Sequence, residues 1–514
     1  MSALRKLAGQ TAIYGLSSIV ARFLNFLLVP LYTSKFVFEP AEYGVVTALY
    51  SWTALLNVML TFGFETTFFR FAARDAGHSS PLPRRGAGGE AQTPLSPGEG
   101  PGVRLYSTAT WGLFFPALAF MLLGGAFSSH IAEGLHFEGY ASSVLMLMLI
   151  IGIDAMTAIP MARLRQQGRP WKYAAINLLS VGVNIGLSLF FLLYCMKRYN
   201  MGESNAFIDA VYDPALGVGY VFAINLVSTA VRLLVLLPSW PSLKAMDKDL
   251  LRAMAAFGAP LMIAGLAGMV NETADRVILK YLLPDDFADS ELGIYGACYK
   301  LAVLITLFIQ AFRMGAEPFF FSHAKEKNST ATFARIMNIF VAVCMSAFLV
   351  VMLFLDLFKW FIPNPAFHEG LRVVPILMLA NVFLGIYYNQ SVWYKLTDRP
   401  RVGSTISLIG AAITIALLFA LIPSLGYMGA AWTTLICYAS MAVISYVWGQ
   451  HHYPIPYDVT RILLYMAGAV VLWWGCEQVA LEGVVKYGSR TVVLLVFIGV
   501  VWRQESAAIR STTN

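Results

Sequence analysis

Long apolar stretches separated by short polar segments dominate the chain. Runs such as Thr11 to Tyr32, Val144 to Pro160 and Ala334 to Leu355 reach or approach the roughly 20 residues that a helix needs to cross a bilayer. Unpaired backbone groups are costly in lipid, and these runs lack the alternation of a membrane-spanning strand. The pattern therefore predicts an all-α, polytopic membrane protein.

The same pattern divides the chain into about fourteen transmembrane helices. Their expected limits are 10–32, 42–64, 105–127, 140–160, 172–195, 215–238, 255–281, 293–316, 333–356, 371–393, 402–422, 427–448, 460–476 and 488–502. The first segment is too long for the apolar part of a signal peptide and contains Arg22, so we expect it to be retained as a helix.

Composition and charge agree with this class. The chain is 58% hydrophobic and 13% charged, with a mean hydropathy of +0.66, unlike a soluble protein of this size. Basic residues fall in alternate loops, such as 163–172 and 244–252, while acids such as Asp285 and Asp286 fall in the others. This positive-inside pattern predicts a multi-pass protein with both termini cytoplasmic. It also accounts for the net charge of +7 without nucleic acid as a partner.

The sequence carries no recognisable enzyme or metal signature. The five cysteines lie in or beside predicted helices without CxxC spacing, so we interpret them as small apolar residues. Neither an H-E-x-x-H motif nor a nucleotide-binding glycine loop occurs. We therefore expect no catalytic residues, no bound metal and no organic cofactor.

Two internal matches predict a repeat. Residues 42–50 resemble residues 291–299 with four identities, and Arg169-Pro170 corresponds to Arg399-Pro400. Both matches pair a helix with the sixth helix after it, which predicts two lobes in the same orientation. The expected domains are 1–238 (helices 1–6), 239–448 (helices 7–12) and 449–514 (two extra helices and a tail). A Pro- and Gly-rich segment at about 77–102 predicts a disordered cytoplasmic insertion in the first lobe.

Motifs in the second half carry a family resemblance. Residues 271–279 read NETADRVIL, residues 291–295 read ELGIY before Tyr299-Lys300, and residues 422–432 read IPSLGYMGAAW. They resemble the O-antigen and capsule type polysaccharide flippases of the multidrug/oligosaccharidyl-lipid/polysaccharide (MOP) exporter superfamily. The resemblance implies alternating access and a substrate in which an oligosaccharide is joined through diphosphate to undecaprenol. It also implies membrane lipids, a polysaccharide polymerase and chain-length machinery as partners.

Charges at membrane depth are costly and are therefore candidate functional groups. Arg22 lies roughly 18 Å into the first helix at about 1.5 Å per residue, Arg276 occupies a comparable place in the seventh helix, and Lys300 lies in the eighth. A diphosphate needs such cations, because guanidinium groups bind phosphate oxygens in pairs. Alternatively, Arg276 pairs with Glu272 at i,i+4, and Arg22 bonds terminal carbonyls.

Two tyrosines and four acids complete the candidate set. Tyr50 and Tyr299 occupy equivalent places in the repeat, where they could stack on sugar rings. The acids, which could couple transport to H⁺ or Na⁺, are Glu65, Asp154, Glu272 and Asp275. Alternatively, Asp275 neutralises Arg276 and Asp154 caps a polar pocket. Arg232 and Arg313 lie near the cytoplasmic ends of their helices, where they can extend to the interface.

The expected function is that of a flippase for an undecaprenyl-diphosphate-linked oligosaccharide in a bacterial inner membrane. One alternative with the same fold is a cation-coupled exporter of small molecules or drugs. A membrane glycan polymerase or ligase is a third possibility, although such chains have a long outer loop rich in charges, and the longest outer loop expected here, about 196–214, is short.

Overall fold

The computed structural model describes residues 2–77, 101–324, 328–397 and 399–513. Within these ranges, fourteen helices are long and apolar enough to cross a membrane. In chain order they are α1 (Tyr14–Tyr32), α2 (Pro40–Arg74), α3 (Gly102–Ala126), α4 (Ala141–Gln166), α5 (Pro170–Asn200), α6 (Gly219–Ser239), α7 (Lys248–Leu282), α8 (Asp285–Phe321), α9 (Ser329–Leu353), α10 (Pro365–Leu396), α11 (Pro400–Leu425), α12 (Tyr427–His452), α13 (Val459–Gln478) and α14 (Gly483–Ala507). Each overlaps one predicted segment, which confirms the all-α polytopic fold.

The chain folds into two compact units. The first unit contains Met1–Asn25 and Leu49–Met269, and the second contains Phe26–Ala48 and Val270–Asn514. The domain limits expected from the sequence, 1–238, 239–448 and 449–514, stay a prediction. Residues 78–100 of the expected insertion lie outside the described residues.

The first unit has an aromatic core where α2, α3 and α4 meet. Phe64, Phe68 and Tyr106 are almost completely buried there. Just before this core, α2 bends at Phe62 and Gly63, which both have positive φ angles, of 51° and 66°. The bend separates two helical segments, Pro40–Thr61 and Phe64–Gly77. The second segment packs on α3.

Within the second unit, the first residues of α2 cross the first residues of α8 at very short range. A Cβ atom on Gly44 would lie 1.8 Å from the carbonyl oxygen of Asp289, and one on Gly293 would lie 1.8 Å from that of Pro40. Gly44 and Gly293 are the paired glycines of the predicted repeat. Only glycine lets two helix backbones approach so closely, which is the common use of small residues in membrane helices.

The two extra helices, α13 and α14, pack on α9 in the second unit. Phe348 of α9 and Trp473 of α13 meet edge to face, with ring centroids 6.0 Å apart. The Arg490 guanidinium of α14 donates a hydrogen bond of 2.6 Å to the Leu353 carbonyl at the end of α9. This contact satisfies a carbonyl that the helix terminus leaves without an intrahelical partner.

A candidate anion site on helices α7 and α8

A buried cluster of charged and aromatic side chains joins α7 to α8 inside the second unit. Asp275 and Arg276 come from α7, while Tyr295 and Tyr299 come from α8. The two tyrosines are four residues apart, so they lie on the same face of α8. Asp275, Tyr295 and Tyr299 are 4%, 0% and 7% exposed, which makes the cluster part of the core of this unit.

The carboxylate of Asp275 is held by two hydrogen bonds. The Tyr295 hydroxyl donates to Asp275 Oδ2 at 2.6 Å, and the backbone N–H of Arg276 donates to Oδ1 at 2.9 Å. A buried carboxylate is tolerated only when it is hydrogen-bonded and paired with a cation. The nearby Arg276 guanidinium supplies that cation.

The guanidinium of Arg276 lies over the ring of Tyr299, with Cζ 3.9 Å from the ring centroid. Its Nε atom is 4.0 Å from Asp275 Oδ1, which is too long for a hydrogen bond. Asp275 therefore balances the charge of Arg276 without accepting a hydrogen bond from its guanidinium. The planar group has five N–H donors, and they suit an oxyanion.

Two further charges lie next to this cluster. Lys300 directly follows Tyr299 on α8, and Glu272 precedes Arg276 by one turn on α7. Both side chains are exposed, and both interact electrostatically with Arg276. The sequence had left two carboxylates as possible ion-pair partners of Arg276, Asp275 and Glu272. The structure pairs Arg276 with Asp275.

The sequence of this chain matches a known protein family. The sequence model of polysaccharide biosynthesis proteins matches residues 7–324, which is more than half of the chain and includes the cluster. The chain belongs to this polysaccharide biosynthesis protein family. No curated protein sequence matches it significantly.

Solved structures similar to this family member share its fold. The lipid II flippase MurJ in an inward closed conformation superimposes with a TM-score of 0.64 at 12% identity, over 96% of this chain and 99% of that one. A multidrug resistance MATE family transporter of the MOP superfamily, in an inward-facing conformation, gives 0.61 at 11% identity, over 89% and 96%. At such identities the likeness establishes the fold alone, which this chain shares with both transporters.

Two of the predicted substrate residues lie in the first unit of this polysaccharide biosynthesis protein. Arg22 is exposed on α1. Tyr50 is partly buried on α2, where its hydroxyl accepts a hydrogen bond of 2.9 Å from Asn225 Nδ2 and its ring stacks on Phe222 at 5.4 Å. The structure thus brings together Arg276, Lys300 and Tyr299 of the predicted set. Tyr50 has a packing role within its own unit.

Two of the predicted ion-coupling acids are ion-paired within the first unit. Asp154 on α4 accepts a hydrogen bond of 3.0 Å from Arg232 Nη1 on α6, and Arg232 Nη2 donates to Ser180 Oγ at 3.2 Å. Arg232 therefore forms an ion pair with Asp154. The sequence had indicated only that Arg232 is a cation near the end of its helix. Glu65 accepts a hydrogen bond from Arg165.

Several polar contacts in the second unit were missed at the sequence level. Tyr295 is the hydroxyl donor to Asp275, and its spacing of four from Tyr299 is a signal that could have found it. Asn271 on α7 donates from Nδ2 to the Ser407 backbone carbonyl at 3.0 Å, and the backbone carbonyl of Asn271 accepts from the Tyr438 hydroxyl at 3.2 Å. In the part of the chain that the structure describes, no group of three or more His, Cys, Asp or Glu residues could hold a metal ion.

Proposed function

We propose that the protein is a flippase that moves an undecaprenyl-diphosphate-linked oligosaccharide across a bacterial inner membrane by alternating access, with both termini in the cytoplasm. Family membership and the MOP fold support a membrane carrier of polysaccharide synthesis. The observation that carries the choice of substrate is the Arg276 guanidinium, which lies on Tyr299 beside the exposed Lys300. A neutral cargo has no need of these cations.

Arg276 is prepared for a diphosphate by its surroundings. Tyr299 holds the guanidinium in place by a cation–π contact, and the planar guanidinium can donate two parallel hydrogen bonds to phosphate oxygens. Lys300 adds a second positive charge on the next residue of α8. Because the guanidinium covers one face of Tyr299, this tyrosine serves first as a platform for Arg276. Arg22 and Tyr50 of the first unit remain candidate substrate contacts in this proposal.

Asp275 offers a link between substrate binding and an ion. When a diphosphate engages Arg276, the buried carboxylate of Asp275 loses much of its charge compensation. A buried carboxylate in that state takes up a proton or a cation. In the proposal, H⁺ or Na⁺ therefore binds near Asp275 as cargo binds, with Glu272 as a neighbouring acid. The paired acids Asp154 and Glu65 would contribute by exchanging their arginine partners.

The flippase delivers its cargo to the outer leaflet, where a polysaccharide polymerase and chain-length machinery would use it. A second candidate function is a cation-coupled exporter of small molecules or drugs, which the similarity to MATE transporter structures favours. A membrane glycan polymerase or ligase is the weaker third candidate, because nothing in the described cluster resembles a catalytic centre.

The test compares Arg276→Ala with a matched control in a strain that lacks the chromosomal copy. The control is Arg198→Ala, because Arg198 also lies over a tyrosine ring, that of Tyr194 at 4.8 Å, but is exposed and outside the cluster. Surface polysaccharide is quantified, together with lipid-linked intermediates in the cytoplasmic leaflet. We expect Arg276→Ala to reduce export about tenfold or more, the effect of losing one or two charge-assisted hydrogen bonds.

Each outcome separates the candidates. Normal export by Arg276→Ala at normal protein abundance would show that the diphosphate assignment is wrong. Drug resistance on expression, with unchanged surface glycans, would favour the exporter. Longer glycan chains made by the purified protein would support the polymerase and contradict the flippase.

A further inference from the structure

A second cluster of cations lies between α8 and α10, inside the second unit. Arg313 comes from α8, and Lys395 comes from the last turn of α10. Their common partner is Glu317, whose Oε1 accepts hydrogen bonds of 3.1 Å from Arg313 Nε and 2.6 Å from Lys395 Nζ. Two cations on one carboxylate leave a formal excess of one positive charge.

The guanidinium of Arg313 is only partly used by this pairing. Its Cζ lies 4.9 Å from the centroid of the Tyr388 ring, and about half of its side chain is exposed. Its two Nη groups make no hydrogen bond to any residue that the structure describes. The N–H donors of these groups can therefore serve a ligand with paired acceptor oxygens.

The charged side chains lie at the accessible end of a narrow cleft. Among its apolar lining, Ile309, Phe320 and Val392 are at most 3% exposed, whereas the side chains of Glu317 and Lys395 are 38% and 30% exposed. The cleft holds about 10 Å³, which is room for a single water molecule. A ligand therefore meets the charges at the rim of the cleft and does not enter it.

This cluster has the same composition as the Arg276 cluster. In each, a guanidinium lies over a tyrosine ring, with a lysine and a carboxylate beside it. Tyr299 and Arg313 are fourteen residues apart on α8, a distance of about 21 Å along the helix. Tyr388 interacts electrostatically with both Arg313 and Glu272, the acid one turn before Arg276. Neighbouring side chains thus connect the two clusters within the second unit.

We propose that Arg313 and Lys395 form a second phosphate site, which binds the diphosphate of the lipid-linked cargo before the cargo reaches Arg276. This inference rests on the proposed function and its topology, in which α8 and α10 end at the cytoplasmic boundary. The phosphate oxygens accept hydrogen bonds from the Nη groups of Arg313 and from Lys395, and they replace Glu317 as the partner of these cations. Glu317 holds the two cations while the site is empty, so it competes with the cargo.

The experiment measures lipid binding to the purified full-length Arg276→Ala protein in detergent, so that the first cluster does not contribute. Native mass spectrometry titrates undecaprenyl diphosphate and, separately, phosphatidylglycerol. We expect Glu317→Gln to bind undecaprenyl diphosphate about tenfold more tightly, because the cations lose their internal competitor. Arg313→Gln combined with Lys395→Gln should weaken binding by about tenfold or more, because both phosphate partners are lost.

Glu369→Gln is the matched control, because it removes the same charge from a similar arrangement. Glu369 pairs with Arg372, which lies over the ring of Tyr427 at 5.5 Å, and no lysine joins this pair among the described residues. The control should leave binding of undecaprenyl diphosphate unchanged. A purely structural role of Glu317 predicts no tightening in Glu317→Gln.

Unchanged binding in Glu317→Gln, or the same tightening in the control, would overturn the proposal. Phosphatidylglycerol binding as tightly as undecaprenyl diphosphate would assign the site to a bilayer phospholipid and would also overturn it. If Arg276→Ala does not fold, Glu317→Gln and Glu369→Gln are compared in the wild-type background by the affinity of the second lipid bound. Normal export by Arg276→Ala would contradict the proposed function without altering this comparison.

Discussion

The close crossing of α2 and α8 at Gly44 and Gly293 gives a sharp test of the structure. Replacing Gly293 by alanine puts a Cβ atom 1.8 Å from the Pro40 carbonyl oxygen and 2.9 Å from the Gly44 nitrogen. Real Cβ atoms essentially never approach other heavy atoms to less than 3.0 Å, so the helices must separate by more than 1 Å at this point. Both obstructing atoms belong to the backbone. A side-chain rotation therefore cannot relieve the overlap.

Overpacking of a close contact costs about 1–3 kcal/mol, and the involvement of two backbones puts Gly293→Ala at the upper end of that range. Gly315→Ala is the matched control, because Gly315 lies on the same helix, α8, and its added Cβ atom would meet nothing within 4 Å. The control is expected to be neutral or to gain up to about 1 kcal/mol from helix propensity. Thermal unfolding of both purified proteins in the same detergent measures the difference.

A reciprocal variant checks that the two glycines act at one crossing. Gly44→Ala would overlap the Asp289 carbonyl oxygen at 1.8 Å and is expected to lower the unfolding temperature like Gly293→Ala. Once one alanine has separated the helices, the second costs less, so the double variant should be less destabilised than the sum. Equal unfolding temperatures for Gly293→Ala and Gly315→Ala would refute the reasoning.

Three further predictions concern single interactions. Tyr299→Leu removes the ring beneath the guanidinium and should destabilise the protein by about 1–2 kcal/mol more than Tyr299→Phe, which keeps the ring, in thermal unfolding. Asp154→Asn leaves Arg232 without its carboxylate and should cost about 1 kcal/mol, since both side chains are about a quarter exposed; adding Arg232→Gln should recover part of the loss. Asp356 lies outside the spans, and the hydrogen bond from Lys486 lowers its pKa, so its stabilisation is present at neutral pH and is lost as pH falls below the unfolded value of about 3.9. Unfolding temperatures measured from pH 6 to pH 3 should therefore show a shrinking difference between wild type and Asp356→Asn.

The fold could be predicted because its cause is local. A run of apolar residues of sufficient length must form a helix in lipid, and each of the fourteen runs does so. Helix ends were less certain, since α7 starts at Lys248 where the sequence indicated residue 255. Polar and charged residues at the start of α7 extend the helix beyond the apolar run.

The site was only partly predictable because its partners are distant in sequence. Arg276 and Tyr299 stood out as a buried charge and a repeated aromatic, but their stacking depends on how α7 and α8 face each other. Asp154 and Arg232 are 78 residues apart, and spacing within one helix could not pair them. Lys300 was predicted as a cation in the eighth helix, and its place directly after Tyr299 in the chain brings it next to the cluster.

The hairpin of α13 and α14 is held against α9 near the loop that joins its two helices. There Arg490 is 5% exposed and donates hydrogen bonds of 2.6 Å both to the Leu353 carbonyl and to Glu477. A buried guanidinium with this many acceptors is costly to displace, so it holds α14 against α9. A hairpin held at its loop by this guanidinium explains how two helices outside the repeat are attached to the second unit.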